Sequence, residues 1–237
     1  MKKILVLLLL AVIGYYLVDV FSRTPFGQDR YSERNVRDFY LDKSKNDLKV
    51  SNVVTAVVVN FRGFDTLGEV TVLFLAATTL ASILYRRREE DAHKGVVLFS
   101  ASKIVRSSAH LLFAPILLLG AYVFIHGHLS PGGGFQGGTI VATGFLLMLL
   151  AYNDYKVSHG VLSWVESLAG ITFVLAGLGG LLLGKTFLEN FLPTGMINYL
   201  FSGGIIPIIY IAVGFKVGAE LTGLLYTLLN EKEYKKQ

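Results

Sequence analysis

From Ser107 to Tyr152 the chain carries no Asp, Glu, Lys or Arg, a run of 46 residues without a formal charge. Soluble domains spread charges along their whole length, at about a quarter of all residues, so lipid has to solvate a run like this one. Composition agrees, with 53% hydrophobic and 16% charged among 237 residues. A soluble enzyme and a disordered tail are excluded. The absence of cysteine also excludes a disulfide-stapled secreted module. The net charge of +5 does not point to nucleic acid, because the basic residues cluster at the ends of apolar segments, where orientation in a bilayer accounts for them.

A helix crossing a hydrocarbon core of about 30 Å needs about 20 mostly apolar residues. Six segments meet this: 4–21, 66–85, 104–125, 135–152, 163–184 and 203–229. The expected fold class is an all-α, polytopic transmembrane bundle of two plus four spans. Met1-Lys2-Lys3 before an apolar run resembles a signal peptide, but no small-x-small site follows Val18, so a retained anchor helix is expected. Lys2, Lys3, Arg86, Arg87, Arg88, Lys94, Lys103, Arg106, Lys156, Lys232, Lys235 and Lys236 gather on one side of this topology, which predicts cytoplasmic termini. Residues 22–62, eight basic against five acidic, then fall on the other side.

The charged linker Arg86 to Lys94 divides the chain into a two-helix unit, 1–90, and a four-helix unit, 91–237. Within the first, Val50, Val53, Val54, Val57 and Val58 are consistent with a short amphipathic helix over 47–59 or with a buried strand.

The most distinctive stretch runs from His126 through Gly127, His128 and Leu129 to Ser130, Pro131, Gly132, Gly133, Gly134, Phe135, Gln136, Gly137 and Gly138. Glycines between two apolar helices allow close backbone packing, or a fold back into protein at membrane depth. No Gly-Lys-Ser/Thr follows, so this is not a phosphate cradle. His126 and His128 lack a third ligand, which makes a metal a weak reading; hydrogen bonding to loop carbonyls or proton movement are the alternatives.

Lys216 and Glu220 stand mid-way along the last span, one turn apart on one face. An isolated charge there costs about 2.5–3.5 kcal/mol even on the insertion scale, so each has to be paired, wet or functional. A self-satisfied pair and a proton-relay lysine held by its carboxylate both remain open. His110 precedes Pro115 by about one turn, which predicts a kink near an ionisable ring, although a satisfied structural histidine is the plainer reading. Asp65 and Glu69 open the second span and Glu166 the fifth, where acids ordinarily offset the helix dipole; only Glu69 sits deep enough for an ion path. Ala176, Gly180 and Gly184 recur at four and predict a close helix neighbour. Gly203, Gly204 and Pro207 predict a bend near the start of the last span. No nucleophile–base pair, dinucleotide fingerprint or Walker loop is present, so no catalytic residue and no cofactor are expected.

The run His126 to Gly138, followed by an apolar helix and by Phe187-Leu188-Glu189-Asn190-Phe191-Leu192-Pro193, resembles the B subunit of Mrp-type multisubunit cation/proton antiporters over about residues 96–230. Before it, Phe61-Arg62-Gly63-Phe64-Asp65-Thr66-Leu67-Gly68-Glu69 looks like the end of the large Mrp A subunit, or the small separate subunit of archaeal membrane-bound hydrogenases and related sulfur-reducing complexes. The resemblance implies a fusion of the two: a non-catalytic, multi-pass accessory subunit in a prokaryotic plasma membrane. Its implied partners are other hydrophobic antiporter subunits and a hydrogenase-like peripheral arm, with sodium exchanged for protons. Asp65, Glu69, the loop from His128 to Gly138 and the loop acid Glu189 carry over. Many relatives have Asp where this chain has Asn60, so no ion-binding role extends to position 60. A purely structural spacer, or a free-standing Mrp antiporter subunit without a redox arm, is the competing function. A self-sufficient carrier is disfavoured because no inverted repeat is visible.

Overall fold

A computed structural model of the chain describes residues 2–23, 36–90, 101–152, 154–184 and 186–229. The elements are α1 (Lys2–Arg23), α2 (Val36–Asn46), α3 (Val53–Thr55), a π-helical turn (Ala56–Phe61), α4 (Gly63–Glu90), α5 (Lys103–Ile125), α6 (Gly134–Ala151), α7 (His159–Leu183) and α8 (Ile206–Leu229). The described residues contain no strand, so the strand alternative is not adopted; the expected helix over 47–59 starts only at Val53, after the Asn52 cap, and residues 47–52 with Val50 are non-helical. Six helices are long and apolar enough to cross a membrane, as the sequence predicts. Part of the 22–62 segment, residues 91–94 of the charged linker, and Lys232, Lys235 and Lys236 lie outside the described residues.

The chain forms two compact units, Met1–Phe39 and Tyr40–Gln237. In the first, α1 buries none of its apolar span. In the second, α8 is the common neighbour: α4, α5, α6 and α7 all pack on it, and α5 also lies along α6. More than half of α8 is buried, against about a tenth of α4. The core gathers Ile205, Ile206, Ile209, Tyr210, Val213 and Val217 of this helix and its entry with Val50, Ala56 and Val59 before α4 and Phe173 of α7.

Apolar burial gives helices in lipid little reason to associate, so their backbones have to approach closely enough for dispersion to act. Gly137 and Gly138 of α6 provide that approach. A Cβ at Gly138 would sit 2.7 Å from the Gly214 carbonyl of α8, and one at Gly137 would sit 2.7 Å from the Gly120 carbonyl of α5. The two successive glycines thus seat α6 against both neighbours.

Helix ends differ from the sequence expectation where polar side chains intervene. α7 starts at His159 rather than 163, because the Ser158 side chain accepts from the Val161 N–H. Gly203 and Gly204, at φ +85° and +62°, form the turn before α8, and Pro207 falls within its first turn, where no helical N–H is needed. The predicted bend is therefore a helix start. Pro115 is accommodated inside a continuous α5. Of the Ala176, Gly180 and Gly184 stripe, Gly180 and Gly184 meet Glu189 of the following loop, and the adjacent Gly177 receives Phe187, where a helix neighbour was expected.

Gly138→Ala is expected to lower the stability of the detergent-solubilised protein by about 1–3 kcal/mol, since its methyl group meets backbone rather than a movable side chain. Gly68→Ala, with nothing within 4 Å of its Cβ, is the control. It is expected to leave the thermal unfolding midpoint unchanged or raise it.

Candidate functional site

Lys216 sits about 15 Å along α8 from its first residue, close to mid-span. Its Nζ lies 3.5 Å from Glu166 Oε1 on α7 and 3.7 Å from Glu220 Oε2 on α8. The same Nζ stands 5.1 Å from the centroid of the Phe74 ring on α4, within cation–π range. Three helices thus converge on one ammonium. The Lys216 and Glu220 side chains are 12% and 3% exposed, while that of Glu166 is 24% exposed. Neither Glu220 oxygen makes a hydrogen bond, so the ion pair with Lys216 is its sole polar contact among the described residues.

A cleft of ≈ 520 Å³ opens beside this cluster, lined by Phe74 from α4, by Glu166, Ser167, Gly170, Ile171, Val174 and Leu175 from α7, and by Lys216. The lysine stem passes beside Gly170 of α7, where a Cβ would stand 4.0 Å from Lys216 Cδ, an ordinary contact distance. The walls are apolar except at Glu166, Ser167 and Lys216.

The glycine-rich loop forms a second constellation. Asn52 Nδ2 donates to the Gly127 and Ser130 carbonyls, both at 2.9 Å, and the Asn52 N–H donates to the His128 carbonyl at 3.1 Å. Thr55 Oγ1 donates to the Gly127 carbonyl at 2.6 Å. Gly127 is tight against the Tyr210 ring, and Gly134 against Val213. His128 is fully buried, with neither ring nitrogen hydrogen-bonded among the described residues. Burial holds its imidazole below the ordinary 6.5, aided by His126, while backbone groups of Tyr199, Leu200 and Ile125 act in the other direction. His126 instead stacks on Tyr122. The two rings do not share a ligand site, and the described residues contain no group of three His, Cys, Asp or Glu able to hold a metal.

The other predicted residues are dispersed. Asp65 pairs with Arg62 at 2.6 Å on the surface, at the start of α4. Glu69 is exposed on α4 and His110 on α5, neither in contact with the Lys216 cluster. Glu189 folds inward, its Oε2 accepting from the Thr186 N–H at 2.9 Å, so it braces its own loop. Asn60 keeps a buried, unpartnered Oδ1. Glu166, read from sequence as a helix-start acid, lies two turns inside α7 because that helix starts earlier than predicted. The earlier start was the missed signal: Ser158 is an N-cap, and it moves Glu166 from the interface to membrane depth.

Residues 104–223 match the family described as a domain related to the MnhB subunit of Na+/H+ antiporter. The chain belongs to this MnhB-related family. Residues 5–97 match a second family, MbhE, a subunit of MBH. An uncharacterized protein of Methanocaldococcus jannaschii is 30% identical over 206 residues, covering 77% of this chain and 79% of the relative. One chain in the structure of the membrane-bound sulfane sulfur reductase, an archaeal respiratory membrane complex, is 44% identical with a TM-score of 0.75. That match covers 96% of this chain and 98% of the other. The Mrp complex from Dietzia sp. contains a chain with the same fold, at 24% identity and a TM-score of 0.71, of which this MnhB-related protein spans 27%. Six apolar helices and this family membership make it a multi-pass protein of the prokaryotic plasma membrane.

His128 carries a pH dependence whose sign follows from its lowered value. As pH falls through 6.5 the unfolded chain takes up a proton at this position before the folded chain does. Stability is therefore full above that pH and declines below it. The unfolding midpoint of purified protein is expected to fall on acidification, and His128→Gln is expected to flatten that part of the profile. Asn52→Ala, which takes the side-chain donor from the Ser130 carbonyl and leaves Gly127 with Thr55 alone, should cost about 1–3 kcal/mol in the same assay.

Proposed function

We propose that this chain is a non-catalytic integral subunit of a Mrp-type antiporter module that exchanges sodium for protons, attached to a redox arm in a respiratory complex. The observation that carries the reading is the Lys216 cluster: an ammonium at mid-membrane depth, bound on two sides by carboxylates and bordered by a cleft. Charges at this depth are costly and mark ion pathways by default. The MnhB and MbhE matches support the assignment to such a module, and the likeness to a chain of the sulfane sulfur reductase complex supports the attached redox arm.

In this reading Lys216 and Glu220 hold charge at the centre of the subunit, and the loop from Ser130 to Gly138 fixes α6 so that α8 cannot shift. Glu69 and His110, exposed on α4 and α5, meet neighbouring hydrophobic subunits and continue the path outside this chain. Asp65 and Glu189 act locally as braces. The N-terminal 1–90 and C-terminal 91–237 parts correspond to two fused subunits, with both termini cytoplasmic.

A spacer whose charges serve only to hold its own helices together is favoured by one observation, the pairing of Lys216 within the chain. Lys216→Ala and Glu220→Ala separate the two. Under the antiporter reading the complex assembles and loses cation/proton exchange in inverted vesicles; under the spacer reading assembly fails, or exchange survives. Deleting the gene is expected to abolish exchange without removing any redox cofactor, and this chain reconstituted alone is expected to give no flux. For sidedness, a single cysteine introduced at Ser130 should be labelled by a membrane-impermeant maleimide from outside intact cells.

A further inference from the structure

Two carboxylates and one ammonium cannot all be ionised and balanced in a medium that solvates charge poorly. Lys216 neutralises one of Glu166 and Glu220, and the other is left with an uncompensated negative charge unless it holds a cation of its own. The nearly equal distances, 3.5 and 3.7 Å, show the ammonium shared between the two rather than committed to either. The remaining position suits a proton, since the Lys216 ammonium, 3.5 and 3.7 Å from the two carboxylates, repels a metal cation placed between them. Resting on the reading of Lys216 as part of an ion path, we propose that Glu166 and Glu220 hold one exchangeable proton between them, and that Glu166 is the residue through which it enters and leaves by way of the cleft.

The direction follows from exposure and from the cleft lining. Exposure falls from Glu166 at 24% through Lys216 at 12% to Glu220 at 3%. Glu166 and Lys216 line the cleft and Glu220 does not. Neither oxygen of Glu220 has a hydrogen-bond partner, so its exchange with the exterior runs through Lys216. The charged and titratable groups facing the cluster are Glu166 from α7 and Lys216 and Glu220 from α8, while α4 supplies the uncharged Phe74 face. That ring contacts the ammonium without offering a second anion.

The transfer balances without any co-reactant. The loaded state holds protonated Glu166, Lys216 ammonium and Glu220 carboxylate. Lys216 passes one proton to Glu220, and Glu166 passes its proton to the resulting amine. Only N–H and O–H bonds change, and one proton has moved from the cleft side to the buried side. Interacting groups of this kind titrate as a unit, so the cluster exchanges one proton with macroscopic behaviour that belongs to no single residue.

The test uses the assembled complex. A hydrophobic carbodiimide, which reacts with protonated carboxyls, is expected to modify Glu166 but not Glu220, with labelling that falls as pH rises. Glu166→Gln is expected to lower cation/proton exchange by about tenfold or more at unchanged subunit content, and Glu166→Asp to restore part of it with a shifted pH profile. Wild-type exchange in an assembled Glu166→Gln complex overturns the proposal, as does the absence of carbodiimide labelling at any pH. If Glu166→Gln fails to assemble, the labelling of the wild-type complex decides. Lys216→Ala separates the two levels of inference. Full exchange in that variant overturns the ion-path reading itself, whereas its loss beside normal exchange in Glu166→Gln overturns only the role of Glu166.

Discussion

Within a bilayer an unpaired N–H, C=O or charge finds no water, and each one left over costs several kcal/mol. The positions of Asn52, Thr55, Thr66 and Asn190 follow from that constraint. Where the segment before α4 departs from α-helical bonding, the Arg62 N–H reaches the Val57 carbonyl, and Thr66 Oγ1 donates to the Val58 carbonyl at 2.6 Å. At the glycine-rich loop, Asn52 and Thr55 supply the donors that the turn cannot provide for itself. Asn190 does the same before α8, donating to the Gly203 carbonyl and accepting from the Ile205 N–H. Lys216 draws its contacts from three helices.

The loops and the helix packing depend on one another. Gly127 and Gly134 admit Tyr210 and Val213, and Gly137 and Gly138 admit the backbones of α5 and α8. The loop is thereby held to the first turns of α8 while α6 is drawn against its middle. The same α8 carries Lys216 and Glu220 on the side turned toward α7. Packing the glycine side tightly fixes the rotation of α8, and that rotation sets where the ammonium meets Glu166. A steric device on one face therefore positions an electrostatic one on another. The segment from Val50 to Val59, inside the region matched to MbhE, completes the core around Ile206 and Ile209, which belong to the region matched to MnhB. The two family regions share one hydrophobic core.

The six spans were legible because each is apolar along most of its length, whether that surface faces outward, as on α1, or packs inside the protein, as on more than half of α8, and any hydropathy window detects such a run. The glycine-rich loop was legible as close packing, because only glycine tolerates backbone contact, but its neighbours were not. Nothing in residues 126–138 specifies that Tyr210 and Val213, some 80 residues later, fill the space. The valine-rich segment was ambiguous because period and length do not separate a short buried helix from a strand. Glu189, carried over by resemblance, accepts from the Thr186 N–H three residues before it, a contact of local turn geometry that its own loop specifies. Lys216 and Glu220 stood out because charge in an apolar run is conspicuous, and their four-residue spacing showed a shared face.

What the sequence determined by itself was the solvent, the number of crossings and the presence of an ionisable pair at mid-membrane depth, because each depends on local composition and helical period. Only the tertiary structure decided that the pair is a triad. Glu166 lies 50 residues before Lys216 on another helix, and the rotation of α7 and α8 about their axes, set by glycine and aromatic packing, determines whether the two side chains meet. The cleft was decided in the same way, because it is the space left where α4 and α7 both pack on α8 without closing over it. Helix rotation and separation are properties of side-chain fit between segments distant in the chain, and no window of sequence contains both halves of that fit.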